Sequence, residues 1–355
     1  MIDTNEKLAS ILPVIETADW IAIDTEADSF YSYPEKICLI QITVQENNYL
    51  IDPLQKFNLA PLFKRIKSKR LIIHAADYDL RLLKKHYGFV PAEIFDTMFA
   101  ARLLGYKEFG LADLVKKHFD VVLDKSHQRS NWTIRPIPPK MIEYAINDTR
   151  FLKSLESILS EKLKETNRLQ WHKEVCDELI SIVKHNSEND PEPWRIRGSN
   201  SLSPLALCVL RELWHWREQI AIEKNKPPFF ILNHNVMLKI AVVAAQSGDF
   251  LSLIPKHYPQ RRIDEIKELV GRGLTVPPGK QPQPIISERP RLYSSDFILF
   301  NKILKHRNRL ADRLKIERSI IATQSELLEL AKNPDNAKTI LMKWQYELLK
   351  EAIHQ

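Results

Sequence analysis

Three apolar segments of this chain carry acidic side chains at spacings that aim them in one direction. Asp24 and Glu26 end an apolar run, Asp79 opens a helical pattern, and Asp148 lies four residues after Tyr144. Acids gathered in one cleft repel each other and resist ionisation unless a cation neutralises them. We therefore expect a fold that brings the three segments together around a metal site.

The spacing within two of the segments follows the geometry of regular elements. Residues i and i+2 of a strand point to one face, so Asp24 and Glu26 project together and can bridge two divalent cations. Residues i and i+4 of a helix share a face, which places Tyr144 beside Asp148. Each pair alone is more typical of solvated surface charges, and only their combination predicts a site.

The middle segment contains two acids, Asp77 and Asp79. Asp77 stands where a strand gives way to a helix, which is a common N-cap position, and Asp79 lies in the first turn. One is expected to cap the helix and the other to bind metal, and position alone does not choose between them.

Residues 1–185 alternate strand-like and helix-like patterns, which predicts a mixed α/β domain. The first three strand-like runs have short polar connections and favour an antiparallel meander. Strands are expected at 20–24, 37–44, 49–52 and 71–74, and helices at 79–87, 97–104, 111–118 and 139–163.

Two polar, proline-bearing segments, 185–193 and 276–284, are predicted linkers. The periodicity after residue 202 is helical on both sides of the second linker, so two small all-α domains are expected. The predicted domains are 1–185, 194–275 and 288–355.

Charge is uneven along the chain. Residues 1–170 contain 24 basic and 23 acidic residues, whereas residues 171–355 contain 28 and 22, within a net charge of +7. A basic half suits a polyanion such as nucleic acid, although a charge excess of this size by itself is more often a solvated surface than a binding face.

Location follows from what the sequence lacks. We expect neither a signal peptide nor a membrane span, because no basic segment precedes an apolar run and no apolar run is long enough. The odd number of scattered cysteines, Cys38, Cys176 and Cys208, fits neither disulfides nor zinc and predicts a reducing cytoplasm.

Taken together, the segments resemble the ribonuclease D family, the DEDDy group of 3′→5′ exonucleases. Asp24-Thr25-Glu26 with the later 38–42 run resembles its first motif, residues 74–80 its second and 144–148 its third. The family's acid in the second motif precedes an aliphatic residue, which selects Asp79 and leaves Asp77 as the expected cap. Asp96 is expected to cap a helix.

One departure from the family is visible after the first motif. Many members carry an aromatic residue there, whereas this chain has Ala27 and Asp28. The packing against the terminal base is therefore expected to differ, without consequence for the metal ligands.

The C-terminal half resembles an HRDC domain, a small helical bundle, in residues 193–198, 213–221 and 225–231. The last 60 or so residues resemble a second, divergent copy. Its basic cluster includes Lys302, Lys305 and Arg307, and is either a phosphate-contacting face or a solvated helix surface.

The resemblance implies an RNase H-like mixed sheet with helices, followed by two HRDC-type bundles. It also implies two divalent cations, Mg²⁺ or Mn²⁺, with Asp24 bridging, Glu26 and Asp148 completing one site, Asp79 holding the second through water, and Tyr144 orienting the attacking water. Further substrate contacts are expected from Thr25, His74, Trp132, Arg135, Lys302, Lys305 and Arg307.

The implied activity is removal of 3′-terminal nucleotides from RNA by a monomeric, cytoplasmic enzyme. Precursors of tRNA with 3′ extensions lead the candidate substrates, followed by other small structured RNAs. The alternatives are a DNA exonuclease of the Werner or proofreading type and a non-catalytic RNA-binding adaptor. No phosphate loop of a helicase is present.

Overall fold

A computed structural model describes residues 1–185, 192–285 and 294–354 of the chain. These residues form two compact units. The first contains residues 1–27, 37–185 and 294–354, and the second contains residues 28–36 and 192–285. Most of the predicted linker at 185–193, and the predicted start of the third domain at 288, lie outside the described residues.

The first unit is built on a five-stranded mixed sheet with the order β3-β2-β1-β4-β5. β1 pairs with β2 and β2 with β3 in antiparallel fashion, which confirms the predicted meander, while β4 and β5 extend the sheet in parallel. The strands are β1 Trp20–Ala27, β2 Ile37–Val44, β3 Asn47–Ile51, β4 Arg70–Ile73 and β5 Glu93–Asp96.

β1 is longer than the neighbour on its parallel side. Its pairing with β4 ends at Ala22, whereas its pairing with β2 continues to Ala27. Asp24 and Glu26 therefore lie on a stretch of strand that only β2 pairs with. The open side of this stretch is available to other elements.

Eight helices of the first unit precede residue 186. They are α1 Asn5–Thr17, α2 Ala60–Ile66, α3 Asp77–Tyr87, α4 Thr97–Leu103, α5 Leu111–Phe119, α6 Pro139–Arg150, α7 Leu152–Glu165 and α8 Leu169–His185. The prediction of one helix over 139–163 is wrong. The backbone N–H of Phe151 donates to the Thr149 carbonyl, and the chain turns there between α6 and α7. The Phe151 ring packs on the Phe119 ring, with 5.6 Å between the ring centroids.

The second unit is a helical bundle whose core forms around the long first helix. Its helices are α9 Pro204–Glu223, α10 Pro228–Ile231, α11 His234–Ala245 and α12 Gln260–Leu274. Leu207, Leu210 and Leu213 of α9 are fully buried against Ile240 of α11 and Ile266 of α12.

The C-terminal helices belong to the first unit. They are α13 Ser294–Leu314, α14 Arg318–Ile321, α15 Gln324–Lys332, α16 Ala337–Ile340 and α17 Lys343–His354. Trp344 stacks on Trp171 of α8 at 4.7 Å, and Gly105, at φ +80°, approaches Lys315 so closely that a Cβ would lie 2.0 Å from its carbonyl oxygen. The predicted third domain thus packs directly on the sheet-containing unit.

The two bundles repeat one arrangement at an offset of 90 residues. A long helix, α9 or α13, leads through a left-handed residue, Asn225 or Lys315, to the four-residue α10 or α14. An extended residue, Leu232 or Ala322, then precedes the side-chain cap of the next helix, Asn233 or Thr323. This correspondence agrees with the expected second copy, whose boundaries remain a prediction.

Two further features bear on the sequence-based expectations. Cys38, Cys176 and Cys208 are all buried free thiols. Within the described ranges, the helices lack the combination of length and apolar character that crossing a membrane requires.

Candidate active site

The structure brings together acids from two of the three predicted segments at the open end of β1. Asp24 and Glu26 meet Asp148 of α6, and each residue offers a carboxylate oxygen within 4.8 Å of the others. The strand spacing places Asp24 and Glu26 on the face of β1 that α6 covers. The helix spacing places Asp148 on the face of α6 that meets them.

Asp79 stands beside this group at the start of α3. Its side chain is 7% exposed and accepts a hydrogen bond from the Thr25 hydroxyl. The expectation that Asp77 caps α3 is wrong. The N-cap is Ala76, which has no side-chain acceptor, and Asp77 is already helical and pairs with Arg81 on the surface.

Asp96 supplies the acceptor that the start of α3 lacks. The carboxylate is fully buried and accepts backbone N–H bonds from Ala75 and Ala76 at 3.2 and 2.9 Å. The carboxylate also accepts hydrogen bonds from the backbone N–H groups of Met98 and Phe99. Asp96 is thus the N-cap of α4, which confirms the prediction that it caps a helix. Ala75 is left-handed at φ +60°, so these bonds fix the turn that delivers α3 and Asp79. No local sequence pattern indicates this second role.

Tyr144 is packed against the same acids from α6. Its hydroxyl hydrogen-bonds with the Asp148 carboxylate, and its ring lies 5.9 Å from Trp132 and 6.2 Å from His127. Burial, followed by the negative charges of Asp148, Glu26 and Asp24, raises the pKa of the phenol well above its ordinary value. Tyr144 is therefore a neutral hydrogen-bonding group across the physiological range.

The four acids strongly oppose each other's ionisation. Burial, and then the neighbouring carboxylates, raise the pKa of Asp24 well above its usual range and that of Glu26 to about 9. Burial is also the main cause that raises the pKa values of Asp79 and Asp148 to about 7. A cluster with these pKa values gains most from a nearby divalent cation.

A buried amide next to the acids also fits a cation site. Gln41 lies directly across from Asp24 in the β1–β2 register, it is 0% exposed, and neither its amide nitrogen nor its oxygen has a hydrogen-bond partner among the described residues. Cross-strand neighbours share a face of the sheet, so the amide is close to the acids. A hydrated cation held there would offer the amide a hydrogen-bonding partner.

Two predicted substrate-contacting residues have other partners in the structure. Trp132 is 1% exposed inside a cluster with Cys38, Leu39 and Ile137. Arg135 makes two hydrogen bonds to the Asp52 carboxylate, at 2.6 and 2.8 Å, and a third to the Cys38 carbonyl. Both side chains hold the loop before α6 against the sheet.

Of the remaining residues predicted to contact substrate, three have other partners in the structure and two are exposed. Thr25 is buried, and its hydroxyl donates to Asp79. His74 is partly buried, and its Nδ1 lies 2.9 Å from the Thr97 hydroxyl. Burial lowers the pKa of His74 to about 4, so the ring is neutral at physiological pH. Lys302 and Lys305 are exposed, but Arg307 is buried and donates to the Ala322 carbonyl at 2.6 Å.

The departure at 27–28 also has a structural explanation. Asp28 is 1% exposed and accepts hydrogen bonds from the Ser32 hydroxyl and, at 2.6 Å, from the Lys36 N–H. The acid closes the loop 28–36 in place of an aromatic side chain.

Comparison with known proteins adds family matches over two parts of the chain. The model of a 3′-5′ exonuclease family matches residues 1–164, and that of the HRDC domain matches residues 206–270. All acids of the candidate site fall within the first match.

Relatives named ribonuclease D match large parts of the chain. Ribonuclease D of Desulfotalea psychrophila is 27% identical over 362 residues, covering 99% of this chain and 96% of that protein. Ribonuclease D of Xanthomonas oryzae is 33% identical over 227 residues, covering 62% of each. The crystal structure of Escherichia coli RNase D, described as an exoribonuclease involved in structured RNA processing, has the same fold, with a TM-score of 0.79 at 24% identity over 100% of this chain and 97% of that one.

Proposed function

We propose that the chain is a member of the ribonuclease D family, a metal-dependent 3′→5′ exoribonuclease that trims the 3′ ends of tRNA precursors and other small structured RNAs. The observation that carries this proposal is the convergence of Asp24, Glu26 and Asp148 within 4.8 Å, with Asp79 beside them. Carboxylates so close together on buried elements have little structural use without a cation.

The donor set favours a hard divalent cation. All the available ligands are carboxylate oxygens, which suit Mg²⁺ or Mn²⁺ rather than zinc. Asp24, Glu26 and Asp148 would hold one ion, and Asp24 with Asp79 the second. Such a pair of bound ions lowers the pKa of a water molecule and stabilises the charge on a leaving oxygen.

The proposed reaction is hydrolysis of the last phosphodiester bond. The oxygen of a water molecule attacks the phosphorus, and the bond from phosphorus to the 3′ oxygen of the preceding nucleotide breaks. The leaving oxygen takes up a proton, which yields a 5′-mononucleotide and an RNA shortened by one residue.

The roles of the chain's own residues follow from their protonation. Because its pKa is raised, Tyr144 stays a phenol and orients the attacking water by hydrogen bonding rather than by removing its proton. Glu26 would also accept a hydrogen bond from the terminal 3′-hydroxyl. That contact would restrict cleavage to chain ends.

Several observations favour RNA as the substrate and a single chain in the cytoplasm as the enzyme. The relatives named above are ribonucleases, and the two helical bundles lie in the more basic part of the sequence. Three buried thiols without a disulfide suit a reducing compartment. The described residues of one chain supply all five proposed catalytic side chains, so a monomer suffices.

The test is cleavage of a 5′-labelled single-stranded RNA with Mg²⁺ or Mn²⁺. Wild type should give a ladder of single-nucleotide steps that EDTA abolishes, and Asp24→Ala should give none. Asp77→Ala is the matched control, since Asp77 lies in the second motif but pairs on the surface with Arg81. A tRNA precursor with a 3′ extension should be trimmed to a defined end.

Two results would favour the alternatives. Equal rates on matched RNA and DNA ends would point to a general DNA exonuclease. RNA binding without cleavage in the presence of either metal would favour the non-catalytic RNA-binding adaptor.

A further inference from the structure

The first helical bundle contains a pocket of about 480 Å³ that the proposed reaction does not use. It lies between the C-terminal half of α9 and the beginning of α12. Trp216 and Ile220 line it from α9, Lys224 from the position directly after α9, and Arg262 and Glu265 from α12.

Trp216 forms a fixed aromatic wall of this pocket. Its indole N–H donates to the Glu265 carboxylate at 3.2 Å, and Arg261 pairs with the same carboxylate at 3.0 Å. The side chain is only partly buried. An oriented and partly exposed indole ring is a platform on which a planar group can stack.

The lining of the pocket carries three cations, Lys224, Arg261 and Arg262, against two acids, Glu223 and Glu265. Lys224 is exposed and, in the described part of the chain, forms no ion pair. Arg262 lies 5.0 Å from the centre of the Tyr258 ring and likewise has no carboxylate partner there. Glu265 is already engaged by Trp216 and Arg261, and Glu223 accepts a hydrogen bond from the Gln219 side chain at 2.9 Å. An anion next to the indole ring would therefore be favoured.

The second copy of the bundle shows that the fold does not require this pocket. At the offset of 90 residues, His306 replaces Trp216 and Leu314 replaces Lys224. His306 contacts the Leu348 carbonyl through Nε2 at 3.2 Å, so its ring packs within the bundle. The same arrangement thus forms without an aromatic wall or this cation.

We propose that the pocket, here called the Trp216 pocket, binds one unpaired nucleotide of the RNA, with the base stacked on Trp216 and a phosphate beside Lys224 and Arg262. This proposal rests on the proposed function, because it takes RNA as the substrate. Every base has a π face and every nucleotide a phosphate, so binding is independent of sequence. The site would hold a single-stranded part of the RNA body while the 3′ end is cut elsewhere.

The test measures binding of a labelled oligouridylate to the full chain by fluorescence anisotropy, in EDTA. Trp216→Leu should weaken binding about tenfold, within the range that base–aromatic stacking supplies, and Trp216→Phe should stay within about threefold of wild type. Phenylalanine retains stacking but cannot donate to Glu265. Equal weakening by both variants would overturn the proposal, since it would trace the effect to the Glu265 hydrogen bond.

A second pair of variants keeps the test valid if Trp216→Leu fails to fold. The double variant Lys224→Gln/Arg262→Gln should reduce the slope of log affinity against log salt by roughly 0.7 for each phosphate that the variant no longer neutralises. Lys239→Gln/Lys256→Gln removes the same charge from sites outside the pocket and should leave the slope unchanged. Equal slopes in the two double variants would overturn the proposal. Binding in EDTA does not need cleavage, so an inactive wild type would contradict only the proposed function.

Discussion

The Thr25 hydroxyl donates a hydrogen bond to the Asp79 carboxylate, which ties the strand that carries two of the acids to the helix that carries a third. The Thr25 backbone N–H donates to the same carboxylate. Both bonds favour the ionised form of Asp79, against the burial that raises its pKa to about 7.

We predict that Thr25→Val raises the pKa of Asp79 further, because the variant retains the shape of the side chain but loses the donor. The acidic limb of the pH–rate profile should then move to higher pH, while activity well above that limb stays near wild type. Rates between pH 5 and 9 at saturating Mg²⁺ measure this shift. Thr25→Ser retains a hydroxyl and should match wild type; a similar shift in Thr25→Ser would contradict the explanation.

The two acids of the second motif should differ sharply on substitution. Asp79→Asn removes a proposed ligand charge from the cluster and should lower kcat roughly 100-fold or more, as loss of a preorganised charged group commonly does. Asp77→Asn should change kcat less than about twofold, because exposed ion pairs such as Asp77–Arg81 contribute little. Single-turnover cleavage of one labelled RNA compares them. A large loss in Asp77→Asn would reverse the assignment.

Cation binding should stabilise the protein more at pH 8 than at pH 6. The pKa values of Asp79 and Asp148 are raised to about 7 and that of Glu26 to about 9, above unfolded values of about 4. Between these limits the native state binds more protons than the unfolded state, so the metal-free protein loses stability as pH rises.

Bound Mg²⁺ replaces those protons, and the protons compete less with Mg²⁺ for the carboxylates as pH rises. The Tm increase on adding saturating Mg²⁺ should therefore be a few degrees at pH 8 and smaller at pH 6. Thermal scans in EDTA and in Mg²⁺ at the two pH values provide the measurement. Asp148→Asn should lose most of the increase, and a larger increase at pH 6 would be the opposite of this expectation.

Arg135 should prove to be a structural residue. Asp52 is 2% exposed and receives two hydrogen bonds from the guanidinium, so Arg135→Ala leaves a buried carboxylate without its cation and with only the Leu54 N–H and the Gln55 amide as donors. Breaking such a pair typically costs about 3–5 kcal/mol. Urea unfolding should show a loss at the lower end of that range, while KM for RNA, measured on the folded fraction, stays unchanged. A raised KM at unchanged stability would restore the predicted substrate contact.

The convergence of the acids can be anticipated from sequence because it depends on local periodicity. The i, i+2 spacing of Asp24 and Glu26 and the i, i+4 spacing of Tyr144 and Asp148 survive in any strand and helix. Only the family resemblance selects Asp79 over Asp77.

Partners distant in sequence cannot be anticipated in this way. Arg135 meets Asp52 across 83 residues, and Asp96 accepts N–H bonds from a loop 20 residues earlier, so no local pattern marks either pairing. The same limit applies to α3. Local rules favour Asp77 as a cap, but the turn at Ala75 shifts the helix start and leaves that carboxylate on the surface.

The stacking of Trp344 on Trp171 has a consequence for the order in which this protein matures. A chain leaves the ribosome from its N-terminus, and domains generally fold as they emerge. Here the partner of Trp171 is synthesised 173 residues later, in the last helix of the described chain. The sheet that carries the acids can therefore form early, but the surface around Trp171 stays uncovered until the helix of Trp344 has been synthesised, and a product terminated before residue 344 would carry that apolar surface exposed.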